Sequence, residues 1–91
     1  MLRLGPERQF KGKKARFAGR ILYADRRAEL YEALKKLGLP FKYIRENPWR
    51  YLLTMGHAWQ LIRLRDQGFV ELEEITLLKE TEYRRQETEN E

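Results

Sequence analysis

The chain has 91 residues, contains no cysteine and carries a formal net charge of +5. This length favours a single domain with one hydrophobic core, and the lack of cysteine excludes disulfides and thiolate metal sites. No apolar run approaches the roughly 20 residues that span a bilayer, and the first residues lack the apolar core of a secretory signal. We therefore expect a soluble, cytoplasmic protein without a membrane partner.

The net charge is distributed unevenly along the chain. Residues 1–27 contain nine lysines and arginines against two acidic residues, a net charge of +7, and residues 28–70 carry +3. Residues 71–91 reverse the sign to −5. A basic head and an acidic tail are typical of a protein that binds a polyanion at one end, or of one whose two ends attract each other.

Glycine, proline and charge divide the chain into three predicted regions. Residues 1–14 contain Gly5, Pro6 and Gly12 and show no hydrophobic period, which predicts a flexible basic N-terminal arm. Residues 15–78 are expected to form a single α+β domain. Residues 79–91 are predicted to be an acidic, partly disordered tail.

The domain is predicted to begin with a strand and a helix. Residues 15–23 alternate apolar side chains as a strand does, with Gly19 marking a bulge or a bend. Residues 25–39 predict a helix with Asp25 as its N-cap and an apolar stripe formed by Leu30, Leu34 and Leu37. Gly38 is expected to end this helix in the left-handed conformation, with Leu39 folding back.

The middle of the chain allows two interpretations. Residues 41–44 predict a short strand, but Pro48 could begin a long helix over residues 48–66. Alternatively, residues 50–53 form a strand, and Thr54 is the N-cap of a shorter helix over residues 55–66.

The order of a helix, a glycine that ends it and a strand then occurs a second time, with Gly68 followed by a predicted strand at residues 69–72. The expected order is β-α-β-β-α-β, with one small sheet and two helices. Ile75 and Leu78 would anchor one or two further helical turns.

Groups suited to catalysis are scarce. The chain has one histidine and two aspartates, and both aspartates fall at predicted helix ends. A hydrolase or nuclease would have to use His57, Glu71 and Glu73, which we interpret as packing or surface groups. Gly12-Lys13-Lys14 lacks the spacing and the Ser or Thr of a phosphate-binding loop. We predict no enzymatic activity, no cofactor and no metal site.

The basic head interleaves cations with aromatic rings and supplies the main functional hypothesis. Cations bind phosphates through counterion release, and aromatic faces stack on bases. Two of the arginines also lie in the first turn of the predicted helix, where cations oppose the helix dipole. We predict a small non-enzymatic protein that binds DNA or RNA. The predicted nucleic-acid-binding residues are Phe10, Lys11, Lys13, Lys14, Arg16, Phe17, Arg20, Arg26 and Arg27.

The two tryptophans support an alternative hypothesis. Trp59, between Ala58 and Leu61, is expected in the core, whereas Trp49 and Arg50 in a predicted turn are candidates for a protein contact. The alternative is a phage- or bacterium-encoded regulator that binds and inhibits a larger host enzyme complex. The oligomeric state is left open.

Over roughly residues 16–71 the chain resembles an uncharacterised family of short bacterial and phage proteins, the domain of unknown function 4031. The matching positions are Ala24-Asp25, Glu29-Leu30-Tyr31, Leu37-Gly38-Leu39, Tyr51-Leu52-Leu53-Thr54 and Gly68-Phe69-Val70. The resemblance favours a strand at residues 51–53 capped by Thr54. The family's early Asp-Asp pair is missing before Ala15, and Arg50-Tyr51-Leu52 replaces its His-Tyr-Asp, so the resemblance implies a fold more than a function.

Overall fold

The computed structural model describes residues 1–68 and the backbone of residues 75–77. Strands and helices together form one mixed unit, which confirms the predicted α+β class. The elements are β1 (Leu2–Leu4), β2 (Arg8–Lys11), β3 (Arg16–Ala24), α1 (Arg27–Leu37), a 3₁₀ turn (Phe41–Tyr43), β4 (Trp49–Thr54), α2 (Met55–Asp66) and β5 (Ile75–Leu77).

The nine-residue strand β3 organises the sheet. β4 pairs antiparallel with residues 19–24 along one edge of β3. β1 and β2 share the other edge, where β1 lies opposite residues 22–24 and β2 lies opposite residues 16–19. Between them, the Gly5 N–H donates to the Ile21 carbonyl at 2.9 Å. β5 lies beside β1 as its parallel neighbour.

Both helices pack on the same face of this sheet. Side chains alternate along a strand, so Leu22 and Ala24 share a face with their cross-strand neighbours in β1 and β4. These residues and the inner sides of α1 and α2 form one buried core, which contains Leu2, Leu4, Leu22, Ala24, Leu30, Ala33, Leu34, Leu37, Tyr51, Leu53, Ala58 and Leu61. No helix of residues 1–68 covers the other face, which we call the open face, and on this face Tyr23 is only 4% exposed.

The helix predicted at residues 25–39 is confirmed, except for its cap. Leu39 N–H donates to the Leu34 carbonyl at 2.9 Å and Gly38, at φ 71°, donates to the Lys35 carbonyl, as in a Schellman ending. The N-cap is Arg26 rather than Asp25, and Glu29 accepts the Arg26 backbone N–H at 3.1 Å. Asp25 instead accepts from Arg3 Nη2 at 2.9 Å.

The second of the two interpretations of the middle region is confirmed. β4 extends over Trp49–Thr54, and Thr54 Oγ1 accepts the His57 N–H at the start of α2. Pro48 lies in a turn and does not begin a helix. Residues 45 and 50 pair through two backbone hydrogen bonds of 3.0 Å, which bring the chain back antiparallel to itself at the start of β4.

Three predictions of local structure are wrong. Residues 41–44 are a 3₁₀ turn and its flank, because Phe41 and its neighbours find no strand partner in the described part of the chain. The first 14 residues contain β1 and β2, which pair with β3 and are not a free arm. Ile75 begins a strand where further helix was expected. The strand predicted at residues 69–72 and the tail at 79–91 lie outside the described residues.

Candidate nucleic-acid interface

The strands β2 and β3 form a hairpin that carries most of the predicted nucleic-acid-binding residues. Arg8 to Lys11 lie opposite Gly19 to Arg16, and the Gly12 N–H donates to the Ala15 carbonyl at 3.0 Å across the turn. A Cβ at Gly12 would lie 2.6 Å from that same carbonyl oxygen, so only glycine fits here. We call residues 8–19 the basic hairpin.

The tip of the basic hairpin has four exposed cations, namely Lys11, Lys13, Lys14 and Arg16. Within the described part of the chain, none of the four side chains forms a hydrogen bond or an ion pair. Lys11 also lies directly opposite Arg16 in the strand pairing, and like charges in that position destabilise a hairpin. The tip therefore concentrates positive charge in an arrangement that folding alone does not favour.

The two phenylalanines of the basic hairpin are cross-strand neighbours. Phe10 pairs with Phe17, their ring centroids are 5.9 Å apart and their planes are tilted by 32°. By strand alternation both rings lie on the open face, opposite to Lys11 and Arg16. Both are half-buried, so part of each ring remains available for contact.

The remaining three predicted arginines lie elsewhere. Arg20 is half-buried on the helix side of β3, and its Nη1 donates to the Gly5 carbonyl at 3.4 Å. Arg26 caps α1, with its Nε 3.4 Å from Glu29 Oε1. The guanidinium of Arg27 lies 4.7 Å from the Tyr31 ring centroid and 5.7 Å from that of Trp49. Arg26 and Arg27 follow the far end of β3, so the structure does not join them to the hairpin tip.

The tryptophans occupy the reverse of their expected environments. Trp59 is 62% exposed on α2, so its predicted place in the core is wrong. Trp49 is half-buried and packs against the core. Arg50 donates from Nη1 to the carbonyls of Glu46 and Pro48 at 2.9 and 3.0 Å, which ties it to the preceding turn.

A cleft of about 530 Å³ opens beside β4, and sequence reasoning missed it. Its lining combines three cations, two tyrosines and three aliphatic side chains, namely Lys42, Arg45, Arg50, Tyr43, Tyr51, Ile21, Ile44 and Leu52. Burial, with a smaller effect of Tyr43, raises the pKa of Tyr51 above the ordinary value of 10. The alternation of aromatic residues and cations at 41–45 was a usable signal, which the strand interpretation obscured.

The described residues offer little to a catalytic hypothesis. His57 Nδ1 lies 3.0 Å from Thr54 Oγ1, at the start of α2, so a role in the helix cap accounts for it. Glu71 and Glu73 lie outside the described residues. Among those described, no group of three or more histidine, aspartate or glutamate side chains could hold a metal ion. No helix in that part of the chain is long and apolar enough to cross a bilayer.

Comparison of the chain with models of protein families, with curated proteins and with solved structures found no match. The resemblance to the uncharacterised bacterial and phage family therefore stays a prediction. The basic hairpin, the open face and the cleft are the features of the described residues that bear on function.

Proposed function

We propose that this protein is a small, non-enzymatic nucleic-acid-binding protein of the cytoplasm, and that its basic hairpin binds phosphates. The observation that carries the proposal is the set of four exposed cations at the hairpin tip, whose side chains have no partner among the described residues, with Lys11 directly opposite Arg16. A polyanion would relieve this repulsion and release its own counterions. Two-stranded β-ribbons also have the width to enter a nucleic-acid groove.

The test is oligonucleotide binding measured by fluorescence anisotropy at two salt concentrations. If four cations each neutralise one phosphate of a single strand, affinity should fall about 50-fold between ~50 and ~200 mM salt. Changing Lys11, Lys13 and Lys14 together to Glu should abolish binding. Unchanged affinity of this variant would overturn the proposal.

A matched pair of neutralising variants separates the hairpin from general charge. Lys13→Gln with Lys14→Gln removes two charges from the tip, whereas Lys35→Gln with Arg63→Gln removes two exposed charges from the helices. The hairpin variant should lose about 1.4 from the slope of log affinity against log salt on a single strand. The helix variant should keep the parental slope, and an equal loss in both would indicate attraction by net charge alone.

A protein-binding regulator is the second candidate, and exposed Trp59 is the observation that favours it. Large aromatic side chains at a surface are frequent anchors of protein interfaces. The contact surface would then be the outer side of α2 rather than Trp49 and Arg50. Trp59→Ala should abolish capture of a defined partner from nuclease-treated lysate, with Gln60→Ala as the control, and capture that depends on nucleic acid would argue against this candidate.

A further inference from the structure

The open face connects the basic hairpin to the cleft. On β3, positions 17, 19 and 21 lie on this face, where Phe17 and Ile21 carry side chains, and Leu52 lies directly opposite Ile21. Phe17 and Ile21 are four residues apart along the strand, which corresponds to about 13 Å. A ligand that contacts the Phe10–Phe17 pair could therefore extend across a short distance into the cleft.

Gly19 lies on β3 between Phe17 and Ile21, and at this position the open face carries no side chain from β3. A Cβ added at this position would lie 3.4 Å from Phe10 Cδ2 and 3.4 Å from Leu52 Cδ1. The phenylalanine ring and the leucine side chain thus approach the same point from the two neighbouring strands. With no side chain on Gly19, Phe10 and Leu52 come close together above its backbone, between Arg8 and Thr54, which lie directly opposite Gly19 on β2 and β4.

The cleft presents aromatic and cationic groups at its rim. Tyr43 is 59% exposed, and Lys42 Nζ lies 5.0 Å from its ring centroid. Arg45 is exposed beside them, and Ile21, Ile44 and Leu52 supply the apolar part of the lining. The described residues that line the cleft include no carboxylate. Its charge is complementary to an anion, and its volume lies within the range of pockets that hold small ligands.

We propose that the open face binds single-stranded nucleic acid, with a base against Tyr43 in the cleft and phosphates at Lys42 and Arg45. This inference rests on the proposed function and specifies its substrate class. A base can enter the cleft or stack on the Phe10–Phe17 pair only when it is unpaired, because in a duplex both of its faces are stacked. Lys13 and Lys14 in the turn of the hairpin then hold the same strand further along its backbone, whereas Lys11 and Arg16 lie on the opposite face.

The first experiment compares a fluorescent 12-nucleotide oligothymidine with a 12-base-pair duplex at equal salt. The single strand should bind at least tenfold more tightly, because each stacked base adds about five- to hundredfold to affinity. Equal or tighter binding of the duplex would overturn the inference while leaving the proposed function standing. Failure of both ligands to bind would overturn both.

The second experiment tests whether a base binds in the cleft. Tyr43→Ala should weaken single-strand binding about fivefold or more with an unchanged salt slope, because stacking releases no counterions. Tyr43→Phe, which keeps the ring, should bind like the parent protein. Phe41→Ala is the matched control, since Phe41 is also exposed but does not line the cleft.

Arg45→Gln tests the phosphate part of the same site. It should reduce the salt slope on the single strand by about 0.7 and leave duplex binding unaffected. Parental affinity in both Tyr43→Ala and Arg45→Gln would show that nucleic acid does not enter the cleft. Equally tight binding of an acidic peptide that competes with the oligothymidine would also overturn the assignment.

Discussion

The two ends of β3 differ in composition, burial and partners, although they belong to one continuous strand. At its C-terminal end, Leu22 and Ala24 are buried between β1, β4 and the helices. At its N-terminal end, residues 16–19 pair with β2 in a hairpin whose tip is cationic and exposed. One end therefore supplies stability, and the other supplies a charged surface that folding does not require.

The core end of β3 is stable enough for the sheet to tolerate the repulsion between cations at the hairpin tip. Lys11 opposite Arg16 costs a fraction of a kcal/mol, whereas each large aliphatic side chain buried in the core contributes about 1.5–3 kcal/mol. The hairpin is also attached to the core through the unbroken β3 backbone, so it need not be stable alone. Substitutions at the two ends should therefore affect stability and binding separately.

The largest expected effect is loss of stability on truncating the core end. Leu22→Ala should lower the free energy of unfolding by about 2–5 kcal/mol, because Leu22 is 0% exposed and leaves a cavity. Leu52→Ala, the matched control on the open face, is 40% exposed and should cost about 1 kcal/mol or less. Urea denaturation measures both, and similar losses would contradict the division of β3 into two environments.

A substitution at the junction of the two ends should have an intermediate effect. A Cβ at Gly19 would lie 2.6 Å from the Leu53 carbonyl oxygen, so Gly19→Val must displace the β3–β4 backbone pairing. We expect a loss of about 1–3 kcal/mol in unfolding free energy, measured by urea denaturation. Single-strand binding should also weaken, because the added side chain interrupts the open face. A stable variant with parental affinity would show that the strands adjust freely at this point.

The buried tyrosine at the core end should make stability fall at high pH. Burial raises the pKa of Tyr51, so above pH 10 the unfolded chain has lost a proton that the folded chain retains. The stability contribution is complete below pH 10 and is lost as pH rises through the raised folded-state value. Tyr51→Phe should make urea midpoints at pH 9 and 11 more nearly equal than in the parent protein, and an unaltered difference would assign the pH dependence to other groups.

The smallest expected effect is a gain in stability at the hairpin end. Lys11→Gln removes the repulsion opposite Arg16 and should raise the free energy of unfolding by about 0.2–1 kcal/mol while weakening nucleic-acid binding. Differential scanning calorimetry at low salt measures the first effect, and fluorescence anisotropy measures the second. A destabilised Lys11→Gln protein would mean that the lysine serves the fold.

Local signals in the sequence were sufficient for α1 and for its glycine stop, whereas they left the Thr54 cap as one of two alternatives. Each depends on residues within five positions of one another, such as Leu34, Gly38 and Leu39. The concentration of cations in residues 8–20 was equally visible, because charge is a property of composition. The cap at Arg26 was missed because it uses Glu29 at N3 in place of a capping side chain at position 25.

Tertiary structure decided which segments pair and which faces are covered. β1 is too short to be recognised alone, β2 is both short and polar, and they exist because β3 offers them a free edge. The position of the sheet decides which side of α2 faces the core, and the helical period does not. The exposure of Trp59 follows from that position. The cleft is lined by residue 21 together with residues 42–45 and 50–52. Charge can be read from composition, and helix caps depend on residues within one or two turns. Strand pairing and burial instead bring together residues that are distant in the chain, and those long-range contacts form the candidate site.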